Sequence, residues 1–127
     1  MSAGIEWLVD ASGCPAERLR DVASITQVLE RIIGALDLHV VGQGVVHQFP
    51  DPAGVTALYL LTESHLACHT YPELGVATFN LYCCRARPPF AWEAELRARI
   101  GARQVVVRSQ PRGPKVGSQQ KRHGGAG

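Results

Sequence analysis

The stretch GVTALYLLTESHLACHTYPELGVATFNLYCC, Gly54 to Cys84, decides how this chain is read. It opens with Val55–Thr62, apolar enough for a central strand, and closes with a second strand-like run, Val76–Cys84. Between them Glu63, Ser64, His65, Cys68 and His69 crowd what reads as a strand end, followed by a loop around TYPELG. Upstream, PDPAG (Pro50–Gly54) is a turn. Before it, Leu38–Phe49 is Val-rich and reads as a strand, with Gly42 and Gly44 suggesting a bulge.

The flanks complete an α+β pattern. IEWLVDA (Ile5–Ala11) reads as a first strand. Pro15 suits a first helical turn, and from there to Leu36 apolar residues recur every three or four positions, which predicts one helix. Phe90–Ile100 reads as a second helix, with Trp92, Leu96 and Ile100 in one row. Arg103–Ser109 closes the series as a fifth strand. The order β-α-β-β-β-α-β, with three strands in succession, predicts a two-layer sandwich: a mainly antiparallel sheet with two helices on one face. The other face must be polar or covered, which favours a homodimer.

At 127 residues the chain is read as one domain, 1–109, followed by a basic Gly- and Pro-rich disordered tail, 110–127. The formal charge of +2 belongs to that tail: without Arg112, Lys115, Lys121 and Arg122, residues 1–109 stand at −2. No stripe of clustered Lys and Arg with interleaved aromatics marks a nucleic-acid surface, so no nucleic-acid partner is expected. No apolar run is long enough to span a membrane, and the N-terminus lacks a signal-peptide pattern. The expected location is therefore cytoplasmic, with Cys14, Cys68, Cys83 and Cys84 reduced. Both lysines, Lys115 and Lys121, lie in the tail, so pyridoxal phosphate on a domain lysine is not expected.

The cluster itself admits four readings. His65 and His69 with the cysteines could ligate zinc, but a His-x₃-His pair shares one face only on a helix, and Tyr71-Pro72 is a poor place to continue one. No metal is expected. Ser or Cys with His could form a nucleophile site, although such sites are recognised by geometry rather than order. Ser64, the histidines and Cys68 could equally be ordinary hydrogen-bonding and core residues. The fourth reading is self-processing. Ser64 would attack the carbonyl of Glu63, the peptide would become an ester, and β-elimination would free the Glu63 carboxylate. The residue left behind would hydrolyse to a pyruvoyl group, whose Schiff base with a substrate amine drains electrons without lysine or pyridoxal.

The segment ESHLACHTYPELGVATFNLYCC closely resembles the processing motif of the bacterial and archaeal S-adenosylmethionine decarboxylase proenzymes. That pattern runs Glu-Ser-His, three residues, His-Thr-Trp-Pro-Glu, then a strand ending Thr-Cys-Gly. WLVDASGCPAERLRD, VHQF and GVTALYLLTES extend the likeness over residues 5–109. The resemblance implies a pyruvoyl-dependent decarboxylase supplying decarboxylated S-adenosylmethionine for spermidine synthesis, working as a homodimer of processed protomers with both chains contributing to each site. It implies cleavage between Glu63 and Ser64, with Ser64 the pyruvoyl precursor, His69 assisting processing and Cys84 donating a proton to the substrate. Thr56 stands where the family has a processing Ser. Phe49, Tyr71 and Glu73 match substrate-binding positions. Cys83 stands where the family has Thr and is read as a bystander. Tyr71 replaces the usual Trp, and Arg85 replaces the Gly after the catalytic Cys. These departures leave decarboxylation of arginine or ornithine as the alternative, with an uncleaved regulatory homologue as a further one.

Overall fold

A computed structural model of the protein describes residues 3–114. Six strands form one antiparallel sheet: β1 (Gly4–Ser12), β2 (Val45–Gln48), β3 (Val55–Leu61), β4 (Ser64–Tyr71), β5 (Val76–Cys83) and β6 (Gln104–Arg112). Their spatial order is β2-β3-β4-β5-β1-β6. Three helices, α1 (Ala16–Arg20), α2 (Val22–Ala35) and α3 (Trp92–Ile100), cover one face, giving the two-layer α+β architecture.

The core lies between sheet and helices. Strand residues of one parity point inward: Val9 and Ala11 from β1, Val55, Ala57 and Leu61 from β3, Leu66 and Cys68 from β4, Phe79 and Leu81 from β5. They meet Ile25, Leu29 and Ile32 of α2 and Leu96 and Ile100 of α3. The buried Thr70 ties the layers together: it accepts a hydrogen bond from the Val55 amide at 2.9 Å and donates one to the Leu19 carbonyl at 2.8 Å.

Four sequence expectations are corrected. The segment read as strand end and loop is the full strand β4, so the sheet has six strands rather than five. The single helix predicted from Pro15 to Leu36 is two helices. Asp21 sits in extended conformation between them and caps α2, accepting from the Ala23 amide and the Ser24 hydroxyl. The strand predicted over Leu38–Phe49 shrinks to Val45–Gln48, with Val40 making one isolated bridge to Leu61. Gly42 has positive φ, and Gly44 lies under the Tyr59 ring where a Cβ would collide, so this stretch bends around a core tyrosine instead of pairing. The last strand continues to Arg112, into the stretch assigned to the tail; residues 115–127, the remainder of that tail, lie outside the described residues.

Candidate active site

Strand β4 carries three of the candidate site residues, Ser64 at one end and His69 and Tyr71 at the other. Leu61 pairs with Ser64, so Thr62 and Glu63 form a two-residue turn joining β3 to β4. The scissile bond expected from the sequence, Glu63–Ser64, therefore lies at a hairpin tip. Neither turn residue has positive φ. The favoured two-residue turns that match strand twist need it, so this tip is not one of them.

Ser64 also pairs with Cys83 on its other side, which brings the end of β5 beside the tip. Cys83 turns into the core, where burial pushes its thiol pKa up. Cys84 turns out, and its Sγ approaches the Glu63 carbonyl oxygen to 2.6 Å. Arg85 grips the Glu63 carboxylate with two contacts, Nε to Oε1 at 2.5 Å and Nη2 to Oε2 at 2.6 Å. This fork holds the Glu63 carboxyl below its usual range.

The other end of β4 borders a cleft of about 520 Å³. Phe49, Thr56, His69, Tyr71 and Glu73 line it, with Pro50 and Pro52 as further wall. Its size is that of a small-molecule site. Thr56 and His69 are cross-strand partners, and their Oγ1 and Nδ1 atoms lie 3.0 Å apart, which fixes the imidazole.

The sequence-predicted residues thus fall into two groups. Glu63, Ser64 and Cys84 gather at the hairpin end. Thr56, His69, Phe49, Tyr71 and Glu73 gather at the cleft end. Five residues of strand separate Ser64 from His69, roughly 16 Å at about 3.3 Å per residue, and the two have opposite parity. Within one chain the structure does not bring them together.

Between the two groups runs a polar chain that sequence reading missed. His65 Nε2 meets Asn80 Oδ1 at 2.9 Å, Asn80 Nδ2 donates to Glu6 Oε2 at 2.5 Å, and Arg112 Nη1 donates to Glu6 Oε1 at 2.5 Å. Tyr82 stacks on His65 with ring centroids 5.7 Å apart. The Asn80 amide and then Arg112 hold the Glu6 carboxyl below its ordinary value. The signal for this chain was a lone Asn and a lone Glu inside strand-like apolar runs. Cys68 is fully buried, and desolvation pushes its thiol far up, so it serves the core. Among the described residues no group of His, Cys, Asp or Glu is arranged to hold a metal ion, and no helix is long and apolar enough to cross a membrane.

A sheet with a lined cleft and a polar hairpin, backed by helices, is a layout suited to a small α+β enzyme. The S-adenosylmethionine decarboxylase family model matches residues 5–113. An S-adenosylmethionine decarboxylase proenzyme of Pelotomaculum thermopropionicum is 32% identical over 115 residues, 87% of this chain and 86% of that protein. One of Symbiobacterium thermophilum is 39% identical over 99 residues, 76% of this chain and 73% of that protein. The crystal structure of the adenosylmethionine decarboxylase from Aquifex aeolicus superposes with a TM-score of 0.76 at 26% identity, covering 92% of this chain and 96% of that one. The chain belongs to the S-adenosylmethionine decarboxylase family, whose members are carboxy-lyases.

Proposed function

We propose that this protein is a proenzyme that cuts itself between Glu63 and Ser64 and then decarboxylates S-adenosylmethionine. The observation that carries the reading is the Cys84 thiol set 2.6 Å from the Glu63 carbonyl oxygen, at a hairpin tip whose next residue is Ser64. The Ser64 hydroxyl attacks the Glu63 carbonyl carbon. The peptide C–N bond breaks, the nitrogen takes a proton, and Glu63 becomes an ester on Ser64. Removal of the Ser64 α-proton expels the Glu63 carboxylate, and hydrolysis releases ammonia and leaves a pyruvoyl group. The relatives' names as proenzymes support such a cut.

The residues around the tip suit that product. A pyruvoyl carbonyl joined to the substrate amine supplies the electron sink for loss of CO₂. Cys84, exposed and adjacent, then holds the proton that the substrate α-carbon takes up. In the cleft, the Phe49 and Tyr71 rings face adenine and favour the sulfonium charge, and Glu73 accepts from the ribose hydroxyls.

The 16 Å gap between Ser64 and His69 supports a homodimer. Val45, Leu58 and Leu60 stand exposed on the helix-free face of the sheet, an apolar surface that a second copy would cover. A twofold axis lying between two such faces, across β4, sets the hairpin end of one chain over the cleft end of its partner. Each complete site then takes Ser64 and Cys84 from one protomer and Thr56, His69 and the cleft from the other.

Intact-mass measurement of the purified protein tests the reading. Chains of 63 and 64 residues are expected, the longer one lacking a free N-terminal amine. A single uncut chain of 127 residues refutes it. Release of CO₂ from S-adenosylmethionine, arginine and ornithine, assayed side by side, tests the substrate. Turnover of an amino acid alone reassigns it.

A further inference from the structure

We infer that Arg85 and Arg87 form a carboxylate receptor for Glu63, which positions the scissile peptide before the cut and holds the new chain end after it. This rests on the self-cleavage reading. Glu63 is the residue whose carbonyl is attacked, and its side chain is held by a two-point fork rather than left free at a turn. Arg85 arises two residues beyond Cys83, the cross-strand partner of Ser64, so β5 delivers the guanidinium directly over the tip. A fork on both carboxylate oxygens fixes the rotation of the Glu63 side chain. With Cys84 on the carbonyl oxygen, Glu63 is restrained at both its polar ends.

The pair is exposed at both partners, and such ion pairs contribute little to folding. Its consequence is therefore the orientation of the carbonyl toward the Ser64 hydroxyl, not the stability of the fold. A misplacement of that kind is felt in rate far more than in stability.

Arg87 supplies the second half. Its field already reaches Glu63. Its Nη1 contacts the Asp37 carbonyl at 3.5 Å and its guanidinium also bonds the thiol of Cys83, the cross-strand partner of Ser64, while Nε is buried without a hydrogen-bond partner of its own among the described residues. A buried, unpartnered donor is costly, so it marks a place for an acceptor. Self-cleavage creates one. It turns the Glu63 carbonyl into an α-carboxylate, so Glu63 ends with two negative charges beside two guanidinium groups. Arg85 keeps the side chain and Arg87 takes the new terminus.

The test is a time course of cleavage by intact mass on freshly translated chain, for wild type, Arg85→Ala, Arg85→Lys, Glu63→Gln and the double variant Glu63→Gln/Arg85→Ala. Arg85→Ala is expected to slow cleavage roughly tenfold. Lys, a point charge that cannot fork, falls between. Glu63→Gln slows it comparably, and the double variant is no slower than either single one. Melting temperatures compared in a Ser64→Ala background, where nothing is cut, should be unchanged by Arg85→Ala. On cut protein, carboxypeptidase should remove the terminal Glu63 from an Arg87→Ala variant faster than from wild type. Wild-type rates of cleavage in Arg85→Ala overturn the receptor, as does slowing matched by lost stability in the Ser64→Ala background. Equal trimming of Arg87→Ala and wild type overturns the second half. A wild-type chain that is never cut refutes the self-cleavage reading itself and is told apart from these results by the control lane.

Discussion

The separation of Ser64 from His69 leads to a test by complementation between two disabled chains. Proton transfer needs heavy atoms about 3 Å apart, and these residues stand roughly 16 Å apart along β4 with opposite parity. If His69 assists processing, it does so on the partner's hairpin. Ser64→Ala and His69→Ala chains, differently tagged and co-expressed in equal amounts, should assort at random, so about half of the dimers carry one of each. In such a mixed dimer one site combines Ser64 from the His69→Ala chain with His69 from the Ser64→Ala chain and is intact. The other site lacks both residues. About half of the His69→Ala chains should therefore be cut, and none of the Ser64→Ala chains. Expressed alone, both variants should remain whole or nearly so. The assay is intact mass on each tagged chain after separation. If co-expressed His69→Ala chains stay as uncut as when expressed alone, sharing across the dimer is refuted. If His69→Ala alone is cut as fast as wild type, the residue has no processing role.

Three other perturbations bear on particular contacts. Cys84→Ala removes the Sγ contact to the Glu63 carbonyl and should slow cleavage, but it should suppress CO₂ release far more, whereas Cys83→Ala should cost about 1 kcal/mol of stability and spare turnover; loss of turnover in the Cys83 variant alone would place the proton donor one residue earlier. Thr70→Val keeps the shape but orphans the Val55 amide and the Leu19 carbonyl, so it should destabilise the Ser64→Ala chain by about 1–3 kcal/mol in urea unfolding. Glu6 has a depressed folded pKa, so its contribution to stability is present above the unfolded value near 4.5 and is lost as pH falls through the folded one; the advantage of wild type over Glu6→Gln in urea titrations should therefore shrink as the pH is lowered below 4.5, and an advantage that grows in acid would contradict the assignment.

The elements legible in the sequence were those with strong hydrophobic contrast. Val55–Leu61 and Val76–Cys83 alternate large apolar residues on the core side, and α3 buries the Trp92, Leu96 and Ile100 row that its spacing announces. Strand β4 also has period two, with Leu66, Cys68 and Thr70 inward and Ala67, His69 and Tyr71 outward. Beyond Leu66 the inward members are small or polar, so the alternation carries little hydrophobic signal. Thr70 is inward only because the Val55 amide and Leu19 carbonyl satisfy its hydroxyl, a tertiary fact that no local window contains. The break between α1 and α2 was hidden for a related reason. The apolar period runs through Asp21 unbroken, and only its capping bonds reveal that the backbone has left the helix.

Resemblance names the candidate site residues but not their geometry, because a motif gives order along the chain and not the end of the strand at which each residue stands. The span between the two ends is not inert. Arg112, Glu6, Asn80 and His65 cross four adjacent strands, from β6 through β1 and β5 to β4, as one hydrogen-bonded row on the helix-free face. In the proposed dimer, a carboxylate on the covered face would be costly without such partners. With them its charge is matched by Arg112, and its second oxygen is occupied by the Asn80 amide. The row therefore keeps the middle of the face polar yet satisfied, while Val45, Leu58 and Leu60 supply apolar area beside it. Between two such faces, a polar row of fixed position would resist sliding of one sheet over the other. Register would matter in the proposed dimer, because a slip of one residue, about 3.3 Å, would carry the hairpin of one chain away from the His69 of its partner.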